Sequence, residues 1–166
     1  MIKTAILGFG NPVRSDDAVG CEVIRLLKDK LNPVNEHLTI IDMGTSAFEV
    51  LFSLKNHDRI LLIDGVIHSG HEDGSLFKLP AEEIQSAIQD DPMVFLHSLK
   101  WDQALSYAKK IFRDEFPEDN ITVYLIAITD TKLSVGMSEV IQRSAHNLAN
   151  KIIEDLELFE KNGKGL

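Results

Sequence analysis

The sequence contains one cysteine, Cys21, among 166 residues. A lone thiol excludes an intramolecular disulfide framework and any cysteine-built zinc or iron–sulfur centre. A metal held by this chain would have to be bound by Asp, Glu or His. Cations are also in short supply: 17 Lys and Arg stand against 26 Asp and Glu, a formal net charge of −9. That balance argues against nucleic acid or an anionic membrane as partner, because both require clustered basic side chains to displace counterions. No apolar run approaches the roughly 20 residues that a membrane-spanning helix needs. The start Met1-Ile2-Lys3 leads straight into a short strand-like run without a signal-peptide core, so a cytoplasmic protein is expected.

What is present suits one globular domain spanning 1–166. Hydrophobic residues make up 44% of the chain, enough for one continuous core. Strand-like and helix-like periods alternate from end to end. This pattern predicts an α/β fold, a three-layer sandwich with a mostly parallel twisted sheet of about five strands and helices on both faces. Strands are expected over 4–8, 38–42, 59–64 and 121–128. A further one over 75–79 would pair antiparallel at an edge. The first helix carries Val23, Ile24, Leu27 and Leu31 at helical spacing and stops before Asn32-Pro33. Helices are also expected over 47–55, 80–89 and 98–113. A long one over 137–160 aligns Ile141, Ala145, Leu148, Ile152 and Leu156 on one apolar face.

Ligands of open parallel sheets bind outside the carboxyl ends of the strands, and here those positions are acidic. The first strand leads to Asp16-Asp17, the second to Asp42-Met43-Gly44-Thr45, and the third ends at Asp64. With the first and third strands as neighbours, Asp17 and Asp64 would face each other across one crevice. Gly8-Phe9-Gly10 looks like the start of a dinucleotide fingerprint, but Val13 stands where the third glycine belongs. The acid pair at the helix start would also repel a pyrophosphate. Asp16 is expected to cap its own helix. Asp17 suits either a first-turn acid or a functional carboxylate. Taken alone, Asp64 reads as a turn former before Gly65, yet a carboxylate at the mouth of a buried strand calls for a partner. His97 precedes an amphipathic segment, where the positive end of a helix keeps an imidazole neutral and able to bind metal. Cys21 reads as a packing residue rather than a nucleophile. His68 and His71 read as loop residues.

Gly8-x-Gly10-Asn11, then Asp16-Asp17-x-x-Gly20, Asp42-x-Gly44-Thr45, Asp64 and His97 together resemble the maturation proteases of nickel–iron hydrogenases. The resemblance implies that Asp17, Asp64 and His97 form the catalytic and metal-facing set of an aspartyl-type endopeptidase. It also implies a role for Asp42, Gly44 and Thr45 in substrate recognition. The implied substrate and partner is the nickel-loaded precursor of a hydrogenase large subunit, from which a short C-terminal extension is removed. Nickel would then arrive with the substrate, and no tightly held metal of the protein's own is expected. Two carboxylates and an imidazole suit a borderline divalent cation and leave positions open. Either the metal or a carboxylate base would activate the attacking water. Asp102 is a candidate to orient His97. Two other readings stand beside this one: a hydrolase with its own metal and another substrate, and a precursor chaperone that does not cut. Asp-Met-Gly replaces the Asp-Gly-Gly of many relatives after the second strand, and Thr129-Asp130 stands where relatives commonly carry a proline-containing turn.

Overall fold

The most apolar stretches of the chain form the centre of the sheet. β1 (Thr4–Phe9) and β3 (Arg59–Val66) are buried along their whole length, as parallel strands covered on both faces must be. The computed structural model describes residues 2–31, 35–46, 56–83 and 118–162. Besides β1 and β3, the strands are β2 (Leu38–Gly44), β4 (Leu76–Pro80) and β5 (Ile121–Ala127). They form one five-stranded sheet in the order β2-β1-β3-β5-β4. All pairings are parallel except that of β4, which runs antiparallel to β5 at the edge, as the sequence predicts.

Two described helices pack side by side on one face. α1 (Val19–Lys30) presents Val19, Val23, Ile24 and Leu27. α2 (Glu139–Asn162) presents Ile141, Ala145, Leu148 and Ile152. Both rest on Ile6, Leu61, Ile63, Tyr124 and Ile126 of the strands. The opposite face is equally buried, with Ala5, Leu7, Leu62 and Val123 in a second core. Burial on both faces is the three-layer arrangement expected of an α/β domain. The helices expected over 47–55 and 98–113, and most of the one over 80–89, lie outside the described residues.

Two features of this frame position the site. β1 lies between β2 and β3, so the chain winds to one side of β1 and then to the other. The crevice at such a reversal is where open α/β sheets bind ligands. α1 also approaches β1 closely because Gly20 has no side chain. A Cβ there would run into the carbonyl oxygen of Phe9 and come within 3.0 Å of that of Ile63. Gly20 thus does the close-packing work that the third glycine of a dinucleotide fingerprint would do, seven residues beyond Val13.

Candidate functional site

The loop between β1 and α1 is shaped by its own polar groups. The Asn11 side-chain oxygen accepts the Val13 N–H at 3.1 Å and its carbonyl accepts the Arg14 N–H at 3.0 Å. This is a turn of the kind Asn supports. Ser15 is then held at φ 52°, a left-handed conformation unusual for a side-chain-bearing residue. A second loop holds it there. Ser15 N–H donates to Ser134 O at 2.8 Å, Ser15 Oγ donates to Lys132 O at 2.9 Å, and Ser134 N–H donates back to Val13 O at 3.0 Å. Strain of this size persists only where the surroundings over-determine it.

One turn of 3-10 helix, Ser15–Ala18, follows and gives the two acids different environments. Asp16 is 2% exposed, and its carboxylate accepts the Ser138 N–H at 2.8 Å and the Ser138 hydroxyl at 3.2 Å. The expectation that it caps its own helix is therefore corrected. α1 begins after Ala18 with no side-chain cap, and Asp16 instead secures the entrance to α2. The extra turn rotates its carboxylate inward, toward a loop 122 residues away in sequence. Asp17 is left half-buried, and its carbonyl accepts the Asn11 N–H at 3.1 Å.

Asp64 also departs from its simplest sequence reading. β3 continues to Val66, so Asp64 is an interior strand residue paired with Leu125 rather than the first residue of a turn. It is 4% exposed, and one carboxylate oxygen accepts the Gly65 N–H at 2.8 Å. β2 likewise runs on through Asp42 to Gly44. Asp42 is exposed, pairs with Gly8 of β1, and accepts the Gly44 N–H at 2.9 Å. Gly44 takes φ 56°, and its carbonyl accepts the Gly10 N–H at 2.9 Å, which ties the ends of β1 and β2 together. Thr45 is exposed at this rim.

Cys21 reports how these acids converge. Its sulfur lies 3.6 Å from the Gly10 carbonyl oxygen. Burial is the main cause that pushes its thiol up to about 12. Hydrogen bonding to Asp42 and the negative charges of Asp42, Asp64 and Asp17 push in the same direction. One thiol thus senses the acids that follow or end the first three strands. Cys21 stays protonated at neutral pH and is no nucleophile, as its sequence context suggests. Its position among the carboxylates had no signal in the sequence. Ser138 is the other residue that sequence reasoning missed, although a serine just ahead of a helix is a recognisable capping residue.

His97 and its candidate partner Asp102 lie outside the described residues. Among the described residues there is no group of three His, Cys, Asp or Glu side chains able to hold a metal. The described part of the site is therefore Asp17, Asp64 and the Asp42–Thr45 rim.

Fold and site together define a doubly wound α/β domain with a carboxylate-lined crevice at its topological switch point. The chain belongs to the hydrogenase maturation proteases: the family model of that description, HycI, matches residues 21–155. Its relatives are peptidases, and the protein is accordingly a hydrolase. The hydrogenase 2 maturation protease of Escherichia coli K12 is 22% identical over 141 residues, which cover 85% of this chain and 82% of that protein. The hydrogenase maturating endopeptidase HybD from E. coli superposes with a TM-score of 0.78 at 20% identity, covering 98% of this chain and 94% of that one. The [NiFe] hydrogenase maturation protease HycI from Thermococcus kodakarensis gives a TM-score of 0.72 at 26% identity, covering 92% and 91%.

Proposed function

We propose that this protein cleaves the C-terminal extension from the precursor of a nickel–iron hydrogenase large subunit, and that it recognises the nickel already seated in that substrate. The observation that carries this reading is the placement of Asp17 just beyond β1 and of Asp42 and Asp64 near the carboxyl ends of β2 and β3, on the two sides of the switch point, in a chain of this protease family. Asp17 and Asp64, with His97 as third donor, supply oxygen and nitrogen ligands suited to a borderline cation such as nickel. Three ligands leave room for the donors that the substrate itself contributes. Asp42, Gly44 and Thr45 form the rim against which the precursor lies. The net charge of −9 and the absence of any long apolar helix among the described residues are compatible with a substrate met in the cytoplasm.

The metal supplies charge that draws the two carboxylates and the scissile region of the precursor together. The chain's own acids do the rest: they orient the bound segment and accept a proton from the attacking water. Purified protein added to nickel-loaded and nickel-free precursor, followed by mass measurement, tests both parts. Loss of a C-terminal peptide from the loaded precursor alone is expected. Intact precursor in both reactions would overturn the cleavage assignment for that substrate, and equal cleavage in both would overturn nickel recognition.

A further inference from the structure

Six large apolar side chains stand exposed among the described residues, and three of them, Val13, Leu133 and Val135, belong to two loops that meet beside the crevice. Leu133 and Val135 are 73% and 83% exposed. Apolar side chains scattered singly over a surface need no explanation, but a group held together beside a site marks an interaction surface. The grouping follows from the sheet order. β1 and β5 flank β3, so the loops that leave their carboxyl ends reach toward each other beyond β3, the strand that carries Asp64. They join in an isolated parallel bridge between Arg14 and Ser134.

The joint is built to hold its shape. Ser134 commits both backbone groups to it: its N–H donates to Val13 O and its carbonyl accepts the Ser15 N–H. The Ser15 hydroxyl and the Asp16 N–H fasten the same loop at Lys132 O and Asp130 O. These bonds keep Ser15 in its left-handed conformation, and strain of that kind gathers where a fixed backbone shape serves a function. Leu133 and Val135, by contrast, make no backbone hydrogen bond to a described residue. Their peptide groups, like their side chains, face water. Arg14 adds a charge: its guanidinium donates to Thr131 O at 3.4 Å and pairs with no carboxylate of the described residues, in a chain of net charge −9.

A fixed backbone, exposed aliphatic side chains, unpaired peptide groups and a guanidinium without a counter-ion fit an extended peptide segment that is apolar and carries a carboxylate. We propose that the joined loops are a docking ledge for such a segment of the hydrogenase precursor, on the β5 side of the crevice. Its apolar part packs on Val13, Leu133 and Val135, and its acid faces Arg14. The ledge runs without a break into the turn of Asp17, since Ser15, Asp16 and Asp17 are consecutive residues of one 3-10 turn. A polypeptide held at Asp17 therefore lies beside it. A second copy of this chain, itself at −9, would meet like charge at the adjoining acids, which favours the precursor as occupant. The identity of this partner rests on the proposed processing function.

Nickel-free precursor, fluorescently labelled and not expected to be processed, allows docking to be measured by anisotropy without cleavage. Saturable binding to the native protein is expected. The double variant Leu133→Ser with Val135→Ser should bind at least roughly tenfold more weakly, because two exposed apolar contacts are lost. Arg14→Gln should weaken binding several-fold and flatten its dependence on salt. Leu158→Ser, the same kind of change at the far end of α2, should bind like the native protein. Should the double variant fail to fold, Val13→Ser on the other loop gives the same comparison. With nickel-loaded precursor, the double variant should raise KM by a similar factor and keep kcat. Equal affinity of the native protein and the ledge variants would overturn the proposal, as would absence of saturable binding to the native protein. Binding that the ledge variants weaken, without any cleavage of loaded precursor by the native protein, would sink the processing function and leave the ledge standing.

Discussion

On the proposed reading, adjacent acids in one loop have different duties, Asp16 holding the entrance to α2 and Asp17 serving the site, and substitution separates them. Asp17→Asn and Asp64→Asn keep side-chain shape while removing the charge that the proposed site needs. Each is expected to lower precursor processing by at least a hundredfold, roughly the range for a positioned catalytic group, with little change in thermal midpoint. Asp16→Ala should do the reverse. It strips two hydrogen bonds from the entrance to α2 and should cost about 1–2 kcal/mol in a denaturant titration, with a smaller effect on processing. Normal processing by the Asp17 and Asp64 variants would show that the site lies elsewhere. Cys21 gives an independent probe of the same acids. With its thiol at about 12, alkylation by iodoacetamide near pH 8 should be at least roughly a hundredfold slower in the folded protein than in urea. Asp42→Asn should speed it several-fold only, because burial is the larger cause of the shift.

The close contact of α1 with β1 and β3 is a property of two elements rather than of one residue. Gly20→Ala would place a methyl group against the Phe9 carbonyl oxygen, backbone that cannot turn aside. Separating helix from strand should cost roughly 2–3 kcal/mol and loosen the loop that carries Asp17, visible as faster amide exchange in residues 10–18. α2 is tied to the sheet in a different way. Asp155 is 1% exposed; Tyr124 donates its hydroxyl to it at 2.7 Å, and Lys78 of β4 and Lys151 stand at 3.1 and 3.2 Å. Tyr124→Phe removes one charge-assisted bond from this buried group and should lower stability by about 2 kcal/mol in a denaturant titration.

For the molecule as a whole, Asp155 also links stability to acidity. Burial alone would raise its pKa, but hydrogen bonds from Tyr124, Lys78 and Lys151 outweigh burial and hold it below the usual carboxylate range. A depressed folded value means that the stabilisation is present above the unfolded pKa and is lost as pH falls through the folded one. The loss therefore lies below about pH 4. Acid titration followed by far-ultraviolet circular dichroism should show the native protein unfolding in that region. Asp155→Asn should be less stable at pH 7 and should converge on the native protein as the pH falls.

Much of this protein was legible in its sequence because the relevant signals are local. The apolar runs at 5–8 and 60–63 predict buried parallel strands, and the apolar stripe from Ile141 to Leu156 predicts the face that α2 turns to the sheet. The acids beyond the strands predict the crevice, since an open parallel sheet concentrates the carboxyl ends of its strands on one side. Tertiary structure alone decided what depends on partners distant in the chain. Asp16 faces Ser138 rather than its own helix because one added turn rotates it inward. Asp64 lies within a strand because β5 continues the pairing past it. Cys21 becomes the residue that senses Asp17, Asp42 and Asp64, and Arg59 becomes a guanidinium beneath Phe159. A side chain's type and spacing are written in the sequence, whereas its dielectric surroundings and its partners across the fold exist only once the chain has closed on itself.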